Sequence, residues 1–147
     1  MNSILVVCVG NICRSPVAEA LLKARLPDKK IWSAGLAALE GRPADPLAQE
    51  VAAEHGLDIS AHRAQQLRGW MCAEADLILV MESEHQREIA SHYPLARGKI
   101  RCLGEQPSGQ PVAVADPYRQ PRPAFETAHD CIERGVSLWT RRIRQLG

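Results

Sequence analysis

The tightest constraint on this chain lies close to its start. A continuous apolar run, Ile4-Leu5-Val6-Val7, passes directly into Cys8-Val9-Gly10-Asn11-Ile12-Cys13-Arg14-Ser15-Pro16. A short apolar run that ends in turn residues reads as a strand buried on both faces, the kind found in parallel sheets. Ser15 and Pro16 have the form of a helix N-cap followed by proline at the first helical position. Beyond them Val17, Ala20, Leu21 and Ala24 fall at helical spacing until Pro27-Asp28 stops the run. The first unit is therefore strand, loop, helix.

The rest of the chain repeats that alternation. Lys30-Ile31-Trp32-Ser33-Ala34 reads as a second strand closed by Gly35. Asp45-Pro46 repeats the cap-then-proline signal, with Leu47, Val51 and Ala52 on one helical face and Gly56 where a C-terminal cap belongs. A short helix is expected over 64–72, a third strand over 76–80, a helix over 83–91 and a fourth strand over 100–103. The stretch 104–123, rich in Gly, Pro and polar residues, reads as a long loop of the kind that often carries function. Phe125, Ala128, Ile132, Val136, Trp139 and Ile143 then mark a long closing helix whose exposed side carries Arg134, Arg141, Arg142 and Arg144. This order predicts an α/β fold: one domain over 1–147, a four-stranded parallel sheet in the order 2-1-3-4, and helices on both faces. In such sheets ligands bind beyond the carboxyl ends of the strands, where the winding direction changes. The loop from Cys8 to Ser15 falls there.

Composition narrows the function. The formal charge of +1 gives no global field to draw in nucleic acid or a membrane surface, so anion recognition must be local. No apolar run approaches the ~20 residues of a membrane span, and the first residues lack the basic start of a secretion signal. The five cysteines include no CxxC pair and no zinc-finger spacing with histidine, which suggests free thiols in a reducing cytoplasm and no metal centre.

The loop itself points to phosphate chemistry. A strand-to-helix turn offers several inward N–H groups and the positive end of a helix dipole. Gly10 gives the backbone freedom, Asn11 tolerates a left-handed conformation, and Arg14 adds a planar fork for two phosphate oxygens. The N–H groups of Val9, Gly10, Asn11, Ile12, Cys13, Arg14 and Ser15 make up the expected cradle. The same surroundings favour the anionic form of the Cys8 sulfur, to which the Ser15 hydroxyl can donate. Nucleophile and cradle then share one loop. The loop lacks the Gly-Lys-Ser/Thr ending of a nucleotide-binding Walker motif. Departure of an alkoxide or phenoxide needs a proton donor, and Asp116 in Ala115-Asp116-Pro117-Tyr118 is the candidate acid, although Asp-Pro by itself is a common turn.

With Val7 to Pro16 and Asp116 to Tyr118 in view, the chain resembles the low-molecular-weight protein tyrosine phosphatases over nearly its whole length. It looks most like the bacterial group that accompanies exopolysaccharide or capsule tyrosine autokinases. The resemblance implies a cofactor-free, two-step hydrolysis of phosphotyrosine: Cys8 attacks phosphorus, Asp116 protonates the leaving oxygen, and water hydrolyses the phosphocysteine. It also implies that Ser33 and His62 hold Asn11 in place by hydrogen bonds, that Leu39 and Tyr118 form the pocket rim, and that Cys13 can form a protective disulfide with Cys8. The implied partner is a phosphotyrosine protein, foremost a tyrosine autokinase, met by a phosphatase that is mostly monomeric and at most weakly dimeric. Related arginine phosphatases tend to carry threonine where this chain has Ile12, which favours phosphotyrosine. Many eukaryotic relatives carry aromatic residues where this chain has Leu39 and Arg119, so their substrate preferences do not transfer. Two alternatives share the scaffold. An arsenate reductase needs two further cysteines close in sequence, whereas Cys72 and Cys102 lie far apart. A non-catalytic phosphotyrosine-binding module would not need the full catalytic set.

Overall fold

The computed structural model describes residues 1–146. Four parallel strands, β1 (Ser3–Cys8), β2 (Lys30–Gly35), β3 (Leu77–Val80) and β4 (Ile100–Cys102), form one sheet in the order β2-β1-β3-β4. This is the expected order. Five helices connect and flank the strands: α1 (Arg14–Arg25), α2 (Pro46–Glu54), α3 (Gly69–Glu74), α4 (Ser83–His92) and α5 (Arg122–Gln145), with a 3₁₀ turn at Pro94–Lys99.

Every residue of β1 is buried because both faces of the sheet are covered. Successive strand side chains point to opposite faces, which divides the interior in two. Ile4, Val6, Leu77 and Leu79 face α1, α2 and α5. Leu5, Val7, Ile78 and Val80 face α3 and α4, together with Cys72 and Cys102. The six apolar positions of the closing helix are all buried. Within that helix, a Cβ on Gly135 would lie 2.7 Å from the Leu103 carbonyl oxygen, so the glycine lets α5 approach the end of β4 closely. The Asp45 carboxylate accepts from the Leu47 N–H at 2.9 Å and Gly56 has φ of +79°, so α2 begins and ends on the expected signals.

Three local expectations are corrected. α1 begins at Arg14, and its N-cap position, Cys13, makes no side-chain cap bond. Ser15 is thus inside the helix, and its hydroxyl serves the loop instead. Residues 64–68 are extended rather than helical: Gln66 bridges Gly35, the Gly35 N–H donates to the Gln65 carbonyl, and the Leu67 N–H donates to the Gly35 carbonyl. These tertiary bonds outweigh a helical pattern of few residues, and helix α3 starts only at Gly69. The long loop ends at Pro121, where α5 begins, and it contains an antiparallel bridge between Glu105 and Pro111.

Two buried histidines carry a cost. His129 on α5 is 2% exposed and stacks on His55 at 3.9 Å, and neither of its ring nitrogens has a hydrogen-bond partner among the described residues. Burial, and then the nearby His55, hold its pKa below the usual 6.5, against the opposing pull of Glu133 and Asp130. Burial and the Arg14 charge lower His85 in the same direction. Below pH 6.5 the unfolded chain therefore binds protons that the folded chain resists. Stability is full above that value and falls as pH drops through it. The melting temperature is expected to decline between about pH 7.5 and about pH 5.5, and His129→Leu is expected to flatten part of that decline. An identical decline in the variant would remove His129 from the explanation.

Candidate active site

Cys8 is the last residue of β1, and the loop after it leads into α1 at the carboxyl end of the sheet. To one side of β1 lies β2 and to the other β3, so the loop sits where the winding direction changes. A Cβ on Gly35 would lie 2.5 Å from the Val9 carbonyl oxygen. The bare glycine at the end of β2 therefore allows the loop to pack against that strand.

Asn11 organises the loop from within. It is 0% exposed and has φ of +59°, a left-handed conformation that costs most residues about 1–2 kcal/mol. Its amide nitrogen donates to Ser15 Oγ at 2.7 Å and to Ser33 Oγ at 3.0 Å. Its side-chain oxygen accepts from the Gln65 N–H at 2.9 Å, and its carbonyl oxygen accepts from His62 Nε2 at 2.6 Å. Ser33 and His62 thus meet Asn11, but Ser33 is an acceptor and passes its own hydrogen to Glu19. Gln65 is a further support that the sequence pattern does not reveal.

The Ser15 oxygen, already an acceptor from Asn11, lies 2.9 Å from Cys8 Sγ. Its hydroxyl hydrogen is then available to an anionic sulfur. The neighbouring Cys13 thiol is different. Burial, followed by the charges of Asp45, Cys8 and Asp116, pushes its pKa far above the usual thiol range, against the opposing effect of Arg14. Cys13 is a buried neutral thiol within the loop.

Arg14 is 2% exposed, an unusual place for a guanidinium. One terminal nitrogen donates to the Val114 carbonyl at 2.8 Å and lies 3.6 Å from Glu82, while the other lies 3.7 Å from Asp116. Glu82 in turn is 3.2 Å from His85 Nε2. Sequence reasoning missed Glu82, which precedes α4, and His85, in its first turn, because neither belongs to a motif. Their one signal is position, since Glu82 follows β3 at the same end of the sheet as the loop. Asp116 is about half-exposed and accepts from the Tyr118 N–H at 3.1 Å.

Cys8, Val9, Gly10, Ile12, Cys13 and Arg14 line one cleft of about 260 Å³ with Asp116, and Leu39, Tyr118 and Arg119 help to complete its walls. The structure therefore brings together a sulfur, a buried guanidinium and a carboxylate, and places Leu39 and Tyr118 beside them. Ser33 and His62 lie behind, on Asn11. Among the described residues no group of three or more His, Cys, Asp or Glu side chains is arranged to hold a metal ion, and no helix is long and apolar enough to cross a membrane.

Known proteins resemble the chain at the level of family, sequence and structure. The profile of the family described as low molecular weight phosphotyrosine protein phosphatase matches residues 3–146. The probable low molecular weight protein-tyrosine-phosphatase EpsP of Ralstonia nicotianae is 53% identical over 147 residues, covering 100% of this chain and 99% of the relative. Among solved structures, Vibrio vulnificus Wzb in complex with benzylphosphonate aligns with a TM-score of 0.90 and 46% identity over 96% of this chain and 98% of that one. The YwlE arginine phosphatase from Geobacillus stearothermophilus aligns with a TM-score of 0.92 and 34% identity over 99% of this chain and 94% of that one. Fold alone therefore does not separate the two phosphoryl substrates.

Proposed function

The chain belongs to the low molecular weight phosphotyrosine protein phosphatases, and we propose that, as a protein-tyrosine phosphatase, it uses Cys8, Arg14 and Asp116 to dephosphorylate a bacterial tyrosine autokinase of exopolysaccharide or capsule production. The observation that carries the site assignment is the single cleft shared by those three residues.

In the first step the Cys8 sulfur attacks phosphorus and the bond to the tyrosine oxygen breaks. The Asp116 carboxyl gives its proton to that oxygen, so a neutral phenol leaves. In the second step water attacks the phosphocysteine, Asp116 takes the water proton, and the sulfur departs with inorganic phosphate as product. Arg14 and the loop amides hold the equatorial oxygens in both steps. Ser15 stabilises the sulfur anion as nucleophile and again as leaving group. Leu39 and Tyr118 flank the substrate ring, and Asn11, Ser33 and His62 keep the loop in shape.

Ile12 supports a tyrosine rather than an arginine substrate, because an apolar wall suits an aryl ring better than a guanidinium. The partner assignment rests on the resemblance to the exopolysaccharide-associated group, with Leu39 and Arg119 at the rim. The test is kcat/KM for a phosphotyrosine peptide from an autokinase tail against a phosphoarginine peptide. A preference on the order of 10²-fold for phosphotyrosine is expected, the range one apolar pocket contact can supply. Preference for phosphoarginine would overturn the substrate assignment.

A further inference from the structure

We infer that Arg119 is a specificity-determining residue, which selects phosphotyrosines flanked in sequence by a second negative charge. This rests on the tyrosine-phosphatase reading above and names the class of protein segment that the same cleft takes.

Arg119 is exposed and lines the cleft with Cys8, Arg14 and Asp116. Among the described residues its guanidinium has no ion pair, unlike those of Arg14 and Arg68. Arg14 lies close to Glu82 and Asp116, and Arg68 pairs with Glu40 at 3.1 Å. Its position is fixed on one side by the Tyr118 ring, whose centroid lies 5.2 Å away. Much of the surrounding wall is apolar: Val9, Ile12, Ala37, Leu39 and Tyr118. A cation without a carboxylate partner, held over an apolar rim, attracts an anion more strongly than one already paired.

The backbone points the same way. The Gln120 N–H donates to the Pro117 carbonyl at 2.9 Å, so 117–120 is a tight turn. Arg119 occupies its third position with φ of +63°, where glycine or asparagine would sit without strain. Asn11 shares this conformation, but four hydrogen bonds hold it. Arg119 has no such side-chain support among the described residues. An arginine in that conformation costs stability that a glycine would not, which marks the side chain as useful at the rim.

When the target phosphate lies against Arg14, the residues next to the phosphotyrosine pass over the rim. An extended peptide advances about 3.3 Å per residue, so a neighbour one or two places away comes within reach of Arg119. The matching chemistry is an anion, either a carboxylate or a second phosphate, and a guanidinium suits both.

The test compares kcat/KM for three phosphotyrosine peptides that differ only in the flanking residue: Gln, Glu or phosphoserine. Hydrolysis of all three upholds the phosphatase reading independently of any ratio. In the unaltered protein, the Glu and phosphoserine peptides are expected to exceed the Gln peptide by about 3- to 5-fold at low ionic strength, the range of an exposed ion pair. That advantage is expected to shrink toward one near ~1 M salt. A larger gain with Glu assigns the carboxylate as the natural flank, and a larger gain with phosphoserine assigns the phosphate. In Arg119→Gln the ratio is expected to fall to about one, and in Arg119→Glu to drop below it. Each ratio is internal to one variant, so a general loss of activity cancels. The control is exposed Arg42, which does not line the cleft but whose N–H donates at 3.1 Å to the carbonyl of Leu39, a residue of the cleft wall. Equal rates in the unaltered protein, a ratio that survives Arg119→Gln, or one that disappears in Arg42→Gln instead would overturn the inference.

Discussion

Cys8→Ser is expected to lose at least about 10⁴-fold in kcat toward an aryl phosphate while still binding inorganic phosphate. The size follows from removal of a covalent nucleophile, whose loss in comparable enzymes is of this order or greater. A serine hydroxyl at this position is a far weaker nucleophile than a thiolate, and among the described residues the side-chain hydrogen-bond partner of the present sulfur is the Ser15 hydroxyl, at 2.9 Å, which is not a base. The cradle is untouched, because Asn11, Ser33, His62 and Gln65 hold the loop without any bond to the Cys8 side chain. Two measurements separate the roles. Steady-state hydrolysis reads the nucleophile, and calorimetric titration with inorganic phosphate reads the cradle. Full activity in the variant would refute the nucleophile assignment, and loss of both activities would mean that Cys8 also holds the loop together.

Asp116→Ala is expected to slow hydrolysis of a phosphotyrosine peptide by ~10²–10⁴-fold, and to slow an ester with a much better leaving group far less. The contrast between substrates is the informative quantity. A good leaving group departs without a proton, so only the poor one needs the acid. Asp116 also lies 3.7 Å from Arg14, so its removal changes the charge around the guanidinium as well. A loss that is equal for both leaving groups would assign Asp116 to positioning Arg14 and exclude it as the proton donor.

The first strand, the loop and the first helix are legible in the sequence because their signals are local. An apolar run, a glycine and a proline act within a few residues, and β1 and α1 lie almost where the pattern puts them. Asp45 and Gly56 frame α2 for the same reason. Residues 64–68 escape the pattern because what holds them is distant in sequence: their partners are Gly35 and Asn11. The role of Ser15 is ambiguous from sequence because one hydroxyl suits either a cap or a sulfur contact, and only the position of Asn11 decides between them. Glu82 and His85 belong to no motif, and only their position after β3 hints at them. A glutamate after a strand is ordinary until the Arg14 side chain is seen to reach it. Asp116 is legible through resemblance rather than pattern, since a loop aspartate before proline carries no chemistry by itself.

The bond from Arg14 to the Val114 carbonyl ties the proposed phosphate clamp to the segment that bears Asp116 two residues on. Val114 is itself anchored, its N–H donating to the Met81 carbonyl just past the end of β3. In the proposed mechanism one guanidinium is thus a member of two assemblies, the anion site and the brace of the acid loop. Losses at 14 and 116 are therefore expected not to be independent: once Arg14 is gone, the carboxylate loses one of its restraints and removing it is expected to cost less than before. The deficit of an Arg14 variant is therefore expected to overstate the worth of its proposed contacts to phosphate, because part of it would belong to the displaced acid.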